Sequence, residues 1–310
     1  MRDLHDLPKL RDSLSYLYVE KAVVNRKDSA IEFIDEEGRV MVPVAALCVL
    51  MLGPGTSITH AAIKVLAESG CTIVWTGEDA TQCYAQGTGE TRKAYHLLRQ
   101  AELACDPVKR MDVVLRMYHM RFGDQLEPSL SLEQIRGFEG VRVRAAYAQA
   151  SQASGVPWSG RKYDRRQWWN SDPINRALSA ANALLNGLCH AAIVSGGYSP
   201  AIGFIHTGKQ LSFVYDLADL YKVEITIPTA FQIVGESTEG VESRVRAACR
   251  QVFKERRLLE RMLPDIDGLL GISAHENTPE QTEDSVDDPA CPEPLWTPGQ
   301  PPGGEEALCS

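Results

Sequence analysis

No Cys-x-x-Cys pair occurs in this 310-residue chain: its eight cysteines, at 48, 71, 83, 105, 189, 249, 291 and 309, are scattered. That scatter excludes a zinc ribbon and a disulfide framework. Because most of these cysteines lie in apolar runs, it points to reduced, buried thiols and a cytoplasmic protein. The opening residues "MRDLHDLPKL" lack the apolar core of a signal peptide. The longest apolar run, Ala177–Val194, is interrupted by Asn182, Asn186, Gly187 and His190, so no membrane span is expected. Net charge is also missing once the chain is divided. Residues 276–310 contain nine of the 41 acidic residues and no Lys or Arg, which leaves 32 acidic against 32 basic residues in 1–275. A neutral body still binds nucleic acid where its basic groups cluster, because the local field decides the contact.

What is present falls into three parts. Residues 1–90 read as a small β-rich domain: β-branched and aromatic runs ("SYLYVE", "AVVN", "AIEFID", "RVMVPV", "TIVWTG", "QCYAQG") alternate with turn residues, and "EEG" joins the third and fourth as a hairpin. One helix interrupts them at "THAAIKVLAESG", with Thr59 as cap and Gly70 as stop. From 91 to 275 the apolar period becomes helical, predicting an all-α domain with helices over 91–105, 107–122, 131–153, 173–195, 212–222, 228–235 and 240–262. "SLEQ" at 131–134 is a capping-box pattern and "SDP" at 171–173 an Asp cap followed by proline. The 173–195 helix is apolar around most of its circumference, so it should be the central one. Residues 276–310, acidic and Pro-rich, cannot build a core and read as a disordered tail. Trp296, Leu295 and Val286 leave open whether that tail is a docking strand or a solubilising extension.

Candidate chemistry starts at "FIHTGKQLSFVYDLADLYK", 204–222. Asp216 and Asp219, three residues apart, share a helix face, and His206 lies ten residues upstream of Asp216 on a loop. Two carboxylates with an imidazole suit Mg²⁺ or Mn²⁺, while a surface ion-pair set has the same spacing. Burial of an ionised carboxylate among Phe213, Val214, Leu217 and Leu220 is costly without a partner, so each Asp needs one. Glu139 adds a further carboxylate. It is flanked by Gly137 and Gly140 inside a helical stretch, where glycine costs about 1 kcal/mol relative to alanine. Two explanations stand: close approach by a metal, phosphate or backbone, or tight helix–helix packing. Basic groups surround these positions: Arg136, Arg142 and Arg144; Arg161 with Lys162, Arg165, Arg166 and the aromatic Tyr163, Trp168 and Trp169; Lys209; and Arg246 in "RVRAACRQVFKERR". Such interleaving suits a phosphate backbone and exposed bases, and equally a solvated Arg-rich face.

Taken together, Glu139 and the block His206-Thr-Gly-Lys-x-x-Ser-x-x-Tyr-Asp216-x-x-Asp219, preceded by "NALLNGLCHAAIVSGGYSPAIGFIHTGK", resemble the CRISPR-associated Cas-one family of the adaptation machinery, in its type I-E form, over about 10–262. The resemblance implies an α+β architecture: a β domain that dimerises followed by a larger helical catalytic domain. It also implies a small ferredoxin-like companion subunit and a catalytic set of Glu139, His206, Asp216 and Asp219. Within that set Glu139, His206 and Asp219 would hold Mg²⁺ or Mn²⁺, with Asp216 an essential neighbour. Lys209, Arg136, Arg142, Arg144, Arg161, Tyr163, Tyr215 and Arg246 are the candidate DNA contacts. The implied activity is insertion of short foreign DNA into a repeat array by attack of a DNA 3′-hydroxyl on a phosphodiester, with double-stranded and branched DNA as partners. A stand-alone structure-specific nuclease and a non-catalytic DNA-binding scaffold are the alternatives. On this reading both Asp216 and Asp219 face a metal-filled cleft.

Overall fold

The computed structural model describes residues 16–28, 30–78, 83–87, 94–123, 126, 127, 129–161 and 172–272. The expected site residue Tyr163, its neighbours Lys162, Arg165, Arg166, Trp168 and Trp169, and the acidic tail lie outside them.

Among the described residues eight strands precede the larger set of helices, as the change of period predicts. One sheet has the order β1 (Tyr16–Val19), β5 (Val49–Leu52), β7 (Thr72–Thr76), β8 (Cys83–Gly87), with parallel β1–β5 and β5–β7 pairs and an antiparallel β7–β8 pair. The other runs β4 (Arg39–Pro43), β3 (Ala30–Ile34), β2 (Val23–Lys27), β6 (Ser57–Ile58). The β3–β4 hairpin forms at the expected place, its turn tied by Asp35 Oδ1 accepting from the Glu37 and Gly38 amides at 2.8 and 3.0 Å. Sequence pattern does not pick out β5, because all four of its residues are buried and no alternation marks it. Helix α1 (His60–Glu68) starts where Thr59 caps the Ala62 amide at 3.3 Å, and Gly70 follows in the left-handed region at φ +69°.

Helices α2 (Ala94–Cys105), α3 (Pro107–Phe122) and α4 (Leu132–Ser154) come next, the last with both halves of the Ser131–Gln134 capping box in place. Helix α5 (Pro173–Ser195) begins at Asp172, whose carboxylate accepts from the Asn175 amide at 2.8 Å. It is long and apolar enough to cross a membrane, yet 78% of that apolar window is buried inside the fold, where α6 (Ser212–Tyr221), α7 (Ile227–Glu236), α8 (Val241–Glu255) and α9 (Leu258–Leu270) pack on it. This is the central helix the sequence predicts. Between α6 and α7 the chain takes a π turn, Lys222–Thr226. The single helix expected over 240–262 is two: Arg257 adopts a left-handed φ of +48° and ends one helix before the next starts. The six described cysteines carry no disulfide; three are buried and Cys105 is exposed, so burial of the thiols is only partial.

Candidate functional site

Helix α6 presents its apolar residues to the core. Phe213, Val214, Leu217, Ala218, Leu220 and Tyr221 are all buried, as the pattern requires. Asp216 is buried with them, its side chain fully out of solvent. This corrects the expectation that both aspartates of the pair face a cleft. Its partners are backbone. Oδ2 accepts from the Phe204 and Ile205 amides at 2.6 and 3.1 Å, and Oδ1 from the His206 amide at 2.8 Å. Oδ1 also lies 2.7 Å from His206 Nδ1. A carboxylate that collects three consecutive N–H groups and one imidazole satisfies the demand for a partner that its apolar surroundings create. The hydrogen bond to Asp216 raises the His206 pKa, against the opposing effect of burial, and the nearby Asp219 adds to the rise. When the neutral ring donates through Nδ1, its lone pair sits on Nε2, as in histidines oriented by a carboxylate for metal binding.

The His206 loop is fixed from its other side by Gln100 and Arg110, which sequence reasoning missed, and by Arg136, which it read only as a DNA contact. Gln100 on α2, fully buried, donates to the carbonyls of Ser199 and Ile202 at 3.0 and 2.8 Å and accepts from the Ser199 amide at 2.8 Å. Arg110 on α3 donates to the Phe204 carbonyl at 2.7 Å, and Arg136 on α4 to the Ile205 carbonyl at 2.6 Å. Gly203 is where the loop passes closest to its surroundings: a Cβ there would stand 2.2 Å from the His206 carbonyl oxygen and 2.9 Å from Asp216 Oδ2. An amide and two guanidiniums hold carbonyls while Asp216 holds amides, so the loop has little freedom. No spacing rule signals such contacts, which come from helices distant in sequence.

Glu139 and Asp219 come together across a cavity of about 370 Å³, lined also by Arg121, Arg136, Gly140, Val143, Tyr147, Arg161, Asn182, Lys222 and Ile227. Each carboxylate has a cation beside it. Glu139 pairs with Arg121, and Asp219 with Lys222 Nζ at 2.6 Å. Among the described residues no three His, Cys, Asp or Glu side chains are gathered as a ready ligand group. The donor types nonetheless suit a hard divalent cation: two carboxylates in one cavity lining, and an imidazole whose Nδ1 Asp216 engages. Space at the glycines favours approach over packing, because a Cβ at Gly137 would meet nothing within 4 Å and Gly140 lines the cavity.

Of the candidate DNA contacts, Arg136 and Arg161 line the cavity, Arg161 braced by the Asn175 carbonyl at 2.9 Å and Ser179 Oγ at 2.9 Å. Lys209 and Tyr215 lie on the His206 side: the ammonium stands 5.9 Å from the Tyr215 ring centre, and that ring meets His206 edge-on at 5.9 Å. Arg142 and Arg144 are exposed on α4, and Arg246 is half-buried on α8; none of these three lines the cavity. Tyr147, stacked on Trp158 at 4.5 Å, forms part of the wall, and burial pushes its phenol pKa up.

A β-rich front, a helical body and a carboxylate–imidazole site beside a basic cavity define a class that sequence comparison identifies. The family model described as CRISPR associated protein Cas1 matches residues 15–127 and 117–238, and the chain belongs to that family. It is 56% identical over 295 residues to CRISPR-associated endonuclease Cas1 2 of Thermus thermophilus, covering 95% of this chain and 90% of that protein. To CRISPR-associated endonuclease Cas1 of Escherichia coli K12 it is 40% identical over 293 residues, 94% of this chain and 95% of that one. A solved TtCas1–DNA complex superposes with a TM-score of 0.75 at 58% identity, covering 85% of this chain and 99% of the other.

Proposed function

We propose that this protein joins short DNA fragments to a CRISPR repeat array by metal-dependent strand transfer, with Glu139, His206 and Asp219 as the metal-holding residues. The observation that carries the reading is the Asp216 clamp, which fixes the His206 loop through Nδ1, while Glu139 and Asp219 line one cavity. Mg²⁺ or Mn²⁺ bound there would lower the pKa of an attacking hydroxyl and offset charge developing at phosphorus. The remaining work belongs to the chain. Asp216 orients the imidazole through Nδ1. Arg136 and Arg161 in the wall, and Lys209 above Tyr215, supply positive charge for the phosphates on either side of the reacting one. In the reaction the 3′-hydroxyl oxygen of the incoming strand bonds to phosphorus and loses its proton to solvent, while the opposite P–O bond breaks and the departing 3′-oxygen of the repeat strand takes up a proton from solvent. Water in place of that hydroxyl gives hydrolysis, so nicking of branched DNA belongs to the same site.

Kinship to proteins named endonucleases and the likeness to a Cas1–DNA complex support nucleic acid as the substrate. Assembly as a homodimer through the β-rich front, with a ferredoxin-like companion subunit, completes the proposal, and the free thiols fit a cytoplasmic setting. The test is a joining assay with purified companion, a duplex bearing 3′-hydroxyl ends and a plasmid carrying a repeat. Asp219→Asn and Glu139→Gln should each lower joining about a hundredfold or more while leaving the melting temperature near that of the parent. Joining at the parent rate by either variant overturns that residue's role.

A further inference from the structure

The pairing of both cavity carboxylates with cations has a chemical consequence that rests on the metal reading above. Arg121 is unusual for an arginine: its side chain is 7% exposed, and among the described residues its buried Nε has no hydrogen-bond partner while Nη1 meets Glu139. A buried guanidinium N–H facing no acceptor is costly unless an acceptor arrives at some stage of the working cycle. Lys222, at the start of the π turn, holds Asp219 in the same way across one helical turn. The third cation of the wall differs. Arg136 spends its guanidinium on the Ile205 carbonyl, and among the described residues no ion pair accompanies that bond.

We propose that Arg121 and Lys222 are exchangeable counter-ions: they hold Glu139 and Asp219 until a divalent cation takes the two carboxylates, and are then released to the oxygens of a DNA phosphodiester. The charge balance favours this order. Arg121 and Lys222 stand in ion pairs with Glu139 and Asp219, so their charge is spent within the cavity wall. Once a divalent ion takes over the carboxylates, both cations are available to DNA. Metal and DNA should therefore bind with positive coupling, and linkage makes the coupling reciprocal. No bond is made or broken in the exchange.

The experiment titrates Mn²⁺ into the full-length protein and reads free ion by electron paramagnetic resonance, with and without a short duplex, in parent, Lys222→Met and Arg121→Met. Methionine keeps the length of the buried stems. Without DNA each variant should bind Mn²⁺ about three- to tenfold more tightly, because a competitor for the carboxylate is gone. With DNA the duplex-induced gain in Mn²⁺ affinity should shrink by a similar factor. Arg256→Met serves as the comparison and should change Mn²⁺ affinity less than about twofold, since its guanidinium pairs with Glu224 and neither lines the cavity. Unchanged or weaker Mn²⁺ binding in Lys222→Met and Arg121→Met, while Asp219→Asn abolishes it, overturns the exchange and leaves the metal site standing. An Arg256→Met effect as large as the other two also overturns it, in favour of plain repulsion. Mn²⁺ binding indifferent to both Asp219→Asn and Glu139→Gln sinks the metal reading itself. Lys222, on a partly exposed side chain, decides the matter if Arg121→Met fails to fold.

Discussion

Helices α4 and α5 are both 23 residues long, and they bury opposite shares of themselves. Sixteen residues of α5 are buried; of α4 only Ile135 is. Helix α5 is held by the rest of the fold, whereas α4 lies along it, with Phe138 and Val141 exposed and open space beside Gly137. The contrast sets a covered helix against an open one. A scaffold helix can be apolar on every side because its neighbours cover it. On the proposed DNA-joining function, α4 would meet a large, charged body, which accounts for one side left uncovered and for glycines that weaken the helix. Glu139 sits on the exposed helix and Asn182 on the buried one, so the cavity opens at the boundary between them.

The largest stability effect should come from the scaffold. Leu185→Ala, at a fully buried position of α5, is expected to cost about 2–5 kcal/mol by denaturant unfolding. A loss below 1 kcal/mol would break the contrast, since α5 would then not be the support it looks like. Next is Asp216→Asn, which puts an amide N–H₂ where backbone amides already donate. It should cost about 1–3 kcal/mol and lower strand transfer far more than the unfolded fraction accounts for, because the His206 loop loses its anchor. Measuring joining well below the melting temperature separates the two; a parent rate there would reduce Asp216 to a packing residue. The smallest effect belongs to the open face. Phe138→Ala and Val141→Ala should each change stability by less than about 0.5 kcal/mol. A clear loss in either would mean that α4 is covered in the protein in solution.

Much of the frame is legible in the residues alone, because its signals are local. Thr59, the Ser131–Gln134 box and Asp172–Pro173 mark helix starts by chemistry that acts within four residues, and "EEG" marks a hairpin for the same reason. Local rules fail where the deciding contact is distant or the signal residue is absent. The break at Arg257 uses a left-handed arginine where glycine would have announced it. In the site, the positions Glu139, His206 and Asp219 stand out as residue types, and Glu139 and Asp219 line the same cavity while His206 is not among its lining residues. Asp216 was legible as a carboxylate needing a partner, but that partner is a run of three amides twelve to ten residues earlier, a choice only the folded loop reveals. Gln100, Arg110, Arg121 and Lys222 carry no motif at all; helix packing alone brings them to the loop and the cavity.

The π turn at Lys222–Thr226 bears on how this site tolerates changes of length. A π turn amounts to an α-helix carrying one surplus residue, so chain on its two sides is offset by about 100° from a continuous helix. That offset lets α6 and α7 each turn an apolar face to α5, while Asp219, Lys222 and Ile227 all reach the same cavity. Thr226, whose hydroxyl donates to Asn182 Oδ1 at 3.0 Å, fastens the far end of the turn to the central helix. Substitution and deletion therefore carry different weight here. Glu224 points outward to Arg256 and Arg261 and can vary in kind, whereas loss of any one residue between Val223 and Ile225 would restore an ordinary helix and rotate one of its ends away from the cavity. The number of residues in this stretch is itself part of the site.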